Sequence, residues 1–303
     1  MNQKTRQLCH ICPRRCLILS STTKGFCNIP PGIILSSAQA HYGEEPIFSK
    51  NGVGNFFFTS CNMSCVYCQN YQISQLNQGQ PINESAFIDK MFALQEQKCA
   101  YIGLVSPSHQ SPWIRSAVKK AINEGFNTPI IYNSSAYDDI EQIKKWDGII
   151  DIYLPDIRYS DNYLAKRYSG VSQYVEISRD AITEMYRQVG NPKLDANDHI
   201  ISGLWVRHLV LPNGLSGSWE SLCFLALEIS QKIGLSLMAQ YNPLYHANQF
   251  PELSRCITKK EYDVVVDMVN KLGFEKVIFQ NVKSSPENYV PDFDLINPFI
   301  KNH

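Results

Sequence analysis

Three cysteines stand close enough together to build a redox centre: Cys61-Asn-Met-Ser-Cys65-Val-Tyr-Cys68. Thiolates spaced four and three residues apart can wrap one corner of a cubane iron–sulfur cluster. A [4Fe–4S] cluster has four irons and usually takes four cysteines. Three ligands leave one iron open to a small molecule, which separates a catalyst from an electron carrier. The bland alternative is a zinc site that borrows a distant fourth ligand. The loop follows directly on Asn55-Phe-Phe-Phe-Thr59, a short run that reads as a buried strand.

Four more thiols lie upstream, in Cys9-x2-Cys12-x3-Cys16-x10-Cys27. Four soft ligands close a site, which suits structural zinc and equally a second [4Fe–4S] cluster; the spacing does not separate these. Residues 1–43 carry Lys4, Arg6, Arg14, Arg15 and Lys24 and no Asp or Glu. Those cations either offset the charge of four metal-bound thiolates or grip a phosphate or RNA backbone. A basic, acid-free start is also what a transit peptide shows, but four cysteines argue against a disposable segment. Cys99, Cys223 and Cys256 stand alone and read as small buried hydrophobes. Disulfide frameworks belong to small secreted domains, so the clusters read as metal ligands.

Such loops need a frame to hold them. The chain has 303 residues, 44% of them hydrophobic, enough for a sizeable core. The net charge is zero, so no global field points to nucleic acid or a membrane. No apolar run approaches the roughly 20 residues that span a bilayer, and a cytoplasmic location is expected. Strand candidates recur at Tyr101–Val105, Pro129–Tyr132, Ile149–Leu154, Leu204–Leu211, Leu235–Gln240 and Val277–Gln280. Helix-period segments fall between them, at 84–97, 174–188 and 218–232, and from Ser111-Pro112 to about Glu124. Ser111 reads as an N-cap, with Gly125 as the stop; Asp138/Glu141 and Thr258/Glu261 have capping-box spacing. Residues 190–202 read as a surface loop.

Alternating strands and helices predict βαβ units and a parallel sheet. Six units between residues 54 and 240 suit an α/β fold of the partial (βα)6 TIM type. A Rossmann sheet is the runner-up, but no G-x-G-x-x-G follows a strand. Residues 1–45 would form a small Cys-rich extension, and 46–303 the barrel with a C-terminal helix and strand. In such barrels chemistry collects where the strands end. There the sequence offers Cys61, Ser106, Asn133, Asp156, Pro212-Asn213 and Gln240-Tyr241.

The C-x3-C-x2-C loop, with an aromatic before its last cysteine, resembles the signature of the radical S-adenosylmethionine (SAM) superfamily. Within it the chain is similar to uncharacterised proteins related to pyruvate formate-lyase activating enzymes. The likeness runs over roughly residues 9–280. It includes Cys9 to Cys16, Gly43-Glu-Glu-Pro-Ile47, Cys61 to Asn70, Ile152-Tyr-Leu-Pro-Asp156, Arg207-His-Leu-Val-Leu-Pro212 and Gln240-Tyr241. The resemblance implies a radical SAM barrel that cleaves SAM reductively to a 5′-deoxyadenosyl radical. It implies that Tyr67 packs near adenine, that Ser106 sits where relatives bind the SAM amino group, and that Asn133 and Arg207 contact SAM. Asp156 matches an acidic position near the active site, and Gln240 lies at the adenine end. The Gly-Gly-Glu of relatives is missing after the second strand. Arg207 as an ordinary ion-pair partner and Asp156 as a helix cap are the bland alternatives, and His109 and His246 read as satisfied polar residues. The cluster must be a strong reductant, towards the low end of a range reaching about −700 mV, so a flavodoxin or ferredoxin is the expected electron donor. The partner implied is a glycyl radical enzyme. An RNA- or protein-modifying radical SAM enzyme, and a non-catalytic Fe–S or zinc protein, are the alternatives.

Overall fold

The computed structural model describes residues 7–18, 24–41, 51–196, 199–282, 290–295 and 297–299. Its strands form where β-branched and aromatic residues run together. In chain order they begin with β1 (Gln7–Leu8), β2 (Leu17–Ile18), β3 (Ile33–His41) and β4 (Val53–Phe58). The short helix α1 (Tyr71–Ser74) leads to β5 (Gln80–Ile82), α2 (Glu84–Glu96) and β6 (Tyr101–Val105). Then come α3 (Ser111–Asn123), β7 (Ile130–Ser134), α4 (Ile140–Lys144), β8 (Ile152–Pro155), α5 (Asn162–Ser169) and α6 (Tyr174–Val189). The chain continues through β9 (Lys193–Leu194), β10 (Ile200–Leu209), α7 (Ser218–Phe224), β11 (Gly234–Met238), α8 (Lys259–Leu272) and β12 (Lys276–Phe279).

The main sheet runs β12-β11-β10-β8-β7-β6-β4-β3-β5. The neighbours from β4 to β12 are parallel. β3 and β5 add an antiparallel edge beyond β4. The six expected strands are therefore present in their expected order, continued by β12. β3 escaped the sequence reading because Ser36, Ser37, Gln39 and His41 interrupt its apolar pattern. It ladders directly onto β4, so residues 33–41 belong to the barrel sheet and not to the Cys-rich segment. The boundary at residue 45, and the motif Gly43–Ile47, lie outside the described residues.

Side chains alternate across each strand. Phe56 and Phe58 point outward to Phe87 of α2. Val53, Tyr101, Ile131, Ile152, Leu154 and Trp205 form a separate apolar cluster on the opposite face, flooring the barrel. Two glycines make this floor fit. A Cβ at Gly234 would stand 2.1 Å from the Trp205 ring, and one at Gly103 2.0 Å from Asn55 Oδ1. The floor is closed by large rings, so the polar residues gather at the other end, where the strands finish.

Several local readings shift by a residue. α3 has Gln110 at its N-cap, and Ser111 begins the helix; its hydroxyl instead accepts from Trp146 Nε1 at 2.8 Å. Asp139, not Asp138, caps α4. Asp138 is buried and accepts from Tyr132 Oη and Ser134 Oγ. The Thr258/Glu261 capping box forms as read. Within 190–202, β9 pairs with β10, so a short hairpin replaces the loop. The segment around residue 293 crosses back to the barrel. Phe293 and Phe299 pack against the cluster of Phe57, Ile73 and Val105. Asp292 and Asp294 each accept from Gln72 Nε2 at 3.1 Å, and Phe293 N donates to Gln72 Oε1 at 2.9 Å.

Candidate active site

Cys61, Cys65 and Cys68 lie on the loop that leaves β4, at the end of the barrel where the parallel strands finish. The loop starts from a strained residue: Ser60 has φ 72, and Ser106, at the end of β6, has φ 57. Non-glycine residues in this region cost about 1–3 kcal/mol and cluster at functional sites. Residues 168–170 hold the loop from below. Ser64 N donates to Ser169 O at 2.9 Å and Val66 N to Tyr168 O at 2.8 Å. Gly170 ends α5 with φ 63, and a Cβ there would meet Ser64 Oγ at 2.2 Å. No other residue type fits so close an approach in that backbone region.

Each thiol has a polar neighbour. Ser169 Oγ lies 3.0 Å from Cys65 Sγ, Ser74 Oγ 3.2 Å from Cys68 Sγ, and Met63 N donates to Cys61 Sγ at 3.3 Å. Burial, and next the Cys65 charge, push the Cys61 thiol up to about 12 and the Cys68 thiol to about 11. Buried thiols gathered in this way ionise only against a cation, which a metal centre supplies.

One cavity is lined by the three cysteines, Tyr67, Ser106, Asn133, Asp156, Arg207 and Gln240, whereas Pro212, Asn213 and Tyr241, also offered at strand ends, lie outside its lining. The lining residues arrive from six strand ends. Arg207 Nε donates to Asp156 Oδ1 at 2.7 Å, and its Nη2 to Asn133 Oδ1 at 2.8 Å. Arg207 is thus an ion-pair partner and a cavity wall at once. Asp156 caps no helix, since Asp161 caps α5. Tyr67 is buried with its ring edge on Tyr241 and its hydroxyl bonded to Tyr159. Tyr159 in turn bonds Ser169 Oγ at 2.8 Å, completing a chain from Tyr67 to Cys65. His109 is buried, with Nε2 2.8 Å from Thr59 O.

Two site residues were missed. Arg158 Nη2 donates to Asp156 Oδ2 at 2.6 Å, making an Arg158–Asp156–Arg207 triad. Burial would lower its guanidinium, but Asp156 and Cys65 hold it well above the ordinary value. Gln280, past β12, donates to Gln240 Oε1 at 2.8 Å and fixes that side chain. Position two residues after Asp156 was the one available signal for Arg158.

The cavity fits a cluster and a polar ligand. Arg158 Nε and Asn70 Oδ1 are buried without hydrogen-bond partners among the described residues, and both residues line the cavity. The walls are mixed, with Phe58, Met63 and Leu209 among polar groups.

Cys9, Cys12, Cys16 and Cys27 line a second cavity outside the barrel. Burial, then the neighbouring Cys16, Cys27 and Cys9, push the Cys12 thiol up to about 12. Among the described residues, no three Cys, His, Asp or Glu side chains stand at the spacing of a single ion's ligands. No helix among them is long and apolar enough to cross a membrane.

Residues 51–173 match the family model of a 4Fe–4S single cluster domain; the stretch contains Cys61, Cys65 and Cys68 and excludes the upstream four cysteines. An uncharacterised protein of Methanocaldococcus jannaschii is 28% identical over 279 residues, covering 89% of this chain and 76% of its own. A radical SAM methyltransferase from Sphaerobacter thermophilus superposes with a TM-score of 0.51 at 11% identity, covering 77% of this chain and 68% of that one. The structure of TYW1 with a lysine-pyruvate adduct bound gives 0.48 at 14% identity, over 76% of this chain and 77% of that one. The architecture shared with the methyltransferase is the partial βα barrel.

Proposed function

We infer that this chain, which carries the radical SAM fold, is a radical SAM enzyme in which Cys61, Cys65 and Cys68 hold a [4Fe–4S] cluster beside a SAM pocket. The observation that carries this reading is the meeting of a three-thiol loop, on the end of β4, with polar side chains from the ends of β6, β7, β8, β10 and β11 in one cavity. When bound, the cluster and SAM supply a reductively generated 5′-deoxyadenosyl radical that abstracts hydrogen.

The chain's own residues bind and orient. Asn133 and Arg207, hydrogen-bonded to each other, present one polar wall to SAM; Ser106 presents another at the end of β6. Asp156 holds both guanidiniums in register. Gln240, fixed by Gln280, faces the adenine end, and Tyr67 walls the cavity beside the cysteines. Met63 and Leu209 keep water from the reacting atoms. The substrate reading we favour is a glycyl radical enzyme, activated by hydrogen abstraction from its backbone, with a flavodoxin or ferredoxin as electron donor. The RNA-gripping alternative loses support, because Arg14 and Arg15 are engaged with the barrel: Arg15 pairs with Asp139, and Arg14 bonds Asn62 O and Gly170 O.

The test is anaerobic. Reconstituted protein given dithionite and SAM is expected to release 5′-deoxyadenosine, and a glycyl radical partner to gain its EPR doublet. Absence of deoxyadenosine from cluster-loaded protein would refute the enzyme reading; deoxyadenosine without a glycyl radical would refute the substrate reading alone.

A further inference from the structure

The segment 9–27 is built around its thiols and little else. β1 and β2 pair through Gln7↔Ile18 and Leu8↔Leu17, and Cys9 N donates to Cys16 O at 2.8 Å. This brings the two ends of the first three cysteines together. Cys27 comes back to the same cavity through the turn at Gly25, where a Cβ would sit 3.4 Å from Cys16 Sγ. Phe26 N donates to that sulfur at 3.3 Å, as backbone amides do to metal-bound thiolates. Leu8, Leu17 and Phe26 are 46%, 50% and 46% exposed. A segment with its apolar side chains so far out lacks a core of its own and needs another staple.

The same segment grips the catalytic loop at one point. Arg14, in the turn between Cys12 and Cys16, donates through Nε to Asn62 O, and through Nη2 to Gly170 O at 2.8 Å. Cys27 O accepts from Ser60 Oγ. Ser60 and Asn62 are the two neighbours of Cys61. The first catalytic ligand is thus bracketed on both sides by groups that belong to the upstream thiol cluster.

We propose that Cys9, Cys12, Cys16 and Cys27 bind one thiolate-ligated metal centre, separate from that of Cys61, Cys65 and Cys68, and that this metal-set module positions Cys61. The side chains do not stand at the spacing of a single ion's ligands, so zinc would have to draw them together whereas a [4Fe–4S] cluster spans wider corners; in either case four thiolates close one site. Arg14 and Ser60 are positioning residues. The metal half stands alone; the positioning half rests on the reading of Cys61, Cys65 and Cys68 as cluster ligands.

The full chain carrying Cys61→Ala, Cys65→Ala and Cys68→Ala is reconstituted anaerobically with iron and sulfide and, separately, with zinc alone. Retention of about four irons, or of one zinc, per chain is expected, and its loss on adding Cys12→Ala and Cys16→Ala. Neither metal at stoichiometric level would overturn the module. In the otherwise unaltered chain, Arg14→Ala and the milder Ser60→Ala should keep the upstream metal yet lose iron at the catalytic loop and shift its EPR spectrum. Unchanged catalytic iron and EPR in both variants would overturn the positioning role. An unaltered chain holding no more metal than the triple variant would overturn the catalytic reading while leaving the module standing.

Discussion

The two cysteine sets differ in what holds them. The Cys61–Cys68 loop is set by the barrel: a strand end at Ser60, backbone clamps from residues 168–170, and a hydroxyl beside Cys65 and Cys68. It has three thiols and opens into a cavity lined by charged and amide groups. The Cys9–Cys27 set has four thiols, two two-residue strands and exposed apolar side chains. A site that must leave a coordination position free needs its geometry from elsewhere. A site that closes on its metal can supply geometry to others. In this molecule the second set touches the first through Arg14, which donates to Asn62 O, and Cys27 O, which accepts from Ser60.

The sharpest break between the regions comes from a single thiol. Cys65→Ala should abolish deoxyadenosine release while the upstream set keeps its full metal content. Loss of both metals together would mean that the regions are one site, and chromatography combined with elemental analysis decides it. The next effect is electrostatic. Asp156 stands between Arg158 and Arg207, whose side chains are 23% and 14% exposed. Asp156→Ala leaves two guanidiniums facing each other and should cost about 3–5 kcal/mol, seen as a lower urea midpoint. An unaltered midpoint would show that the triad is dispensable to the barrel.

Acid should separate the regions by mechanism. His208 follows Arg207 on β10, fully buried, with Nδ1 2.8 Å from Ile157 O and Nε2 2.9 Å from Ser218 Oγ. Burial pushes it down to about 4 against the field of Asp156, which raises it. Above the unfolded value of about 6.5 both states are neutral and the barrel keeps its full stability. As pH falls from there towards 4, the unfolded chain takes up a proton that the folded one refuses. Stability is then lost, by roughly 3 kcal/mol at most. His208→Gln should flatten that slope; an identical slope in the variant would refute the assignment. The smallest effect is local. Arg207→Ala should weaken SAM binding by roughly 1.5–3 kcal/mol, about tenfold to a hundredfold, with cluster iron unchanged. Calorimetry with wild-type affinity would make Arg207 a structural residue only.

The barrel was legible because its strands are short apolar runs that need no partner to be recognised. Tyr101–Val105 is bounded as read, and the site residues follow from the rule that parallel strands finish at one face. What stayed hidden depends on contacts across the chain. β3 is recognisable only once β4 stands beside it, since its backbone groups pair in that ladder whatever its side chains. Asp138 and Asp139 are adjacent in sequence, and the buried Tyr132 and Ser134 hydroxyls, which engage Asp138, leave Asp139 to cap. Arg158 sits in a turn with no periodicity, and its meaning comes from Asp156 and Cys65. The basic upstream segment read first as charge balance and second as a nucleic-acid grip; that Arg14 donates to Asn62 O and Gly170 O, far along the chain, could not be read from it.

Phe293 and Phe299 back the same Ile73 and Val105 that line the catalytic cavity, and Gln72 ties their segment to the helix following the cysteine loop. Those residues leave the ribosome after every cluster ligand and every proposed SAM contact. While the chain is being made, all seven clustered cysteines are therefore in place before the supporting wall exists.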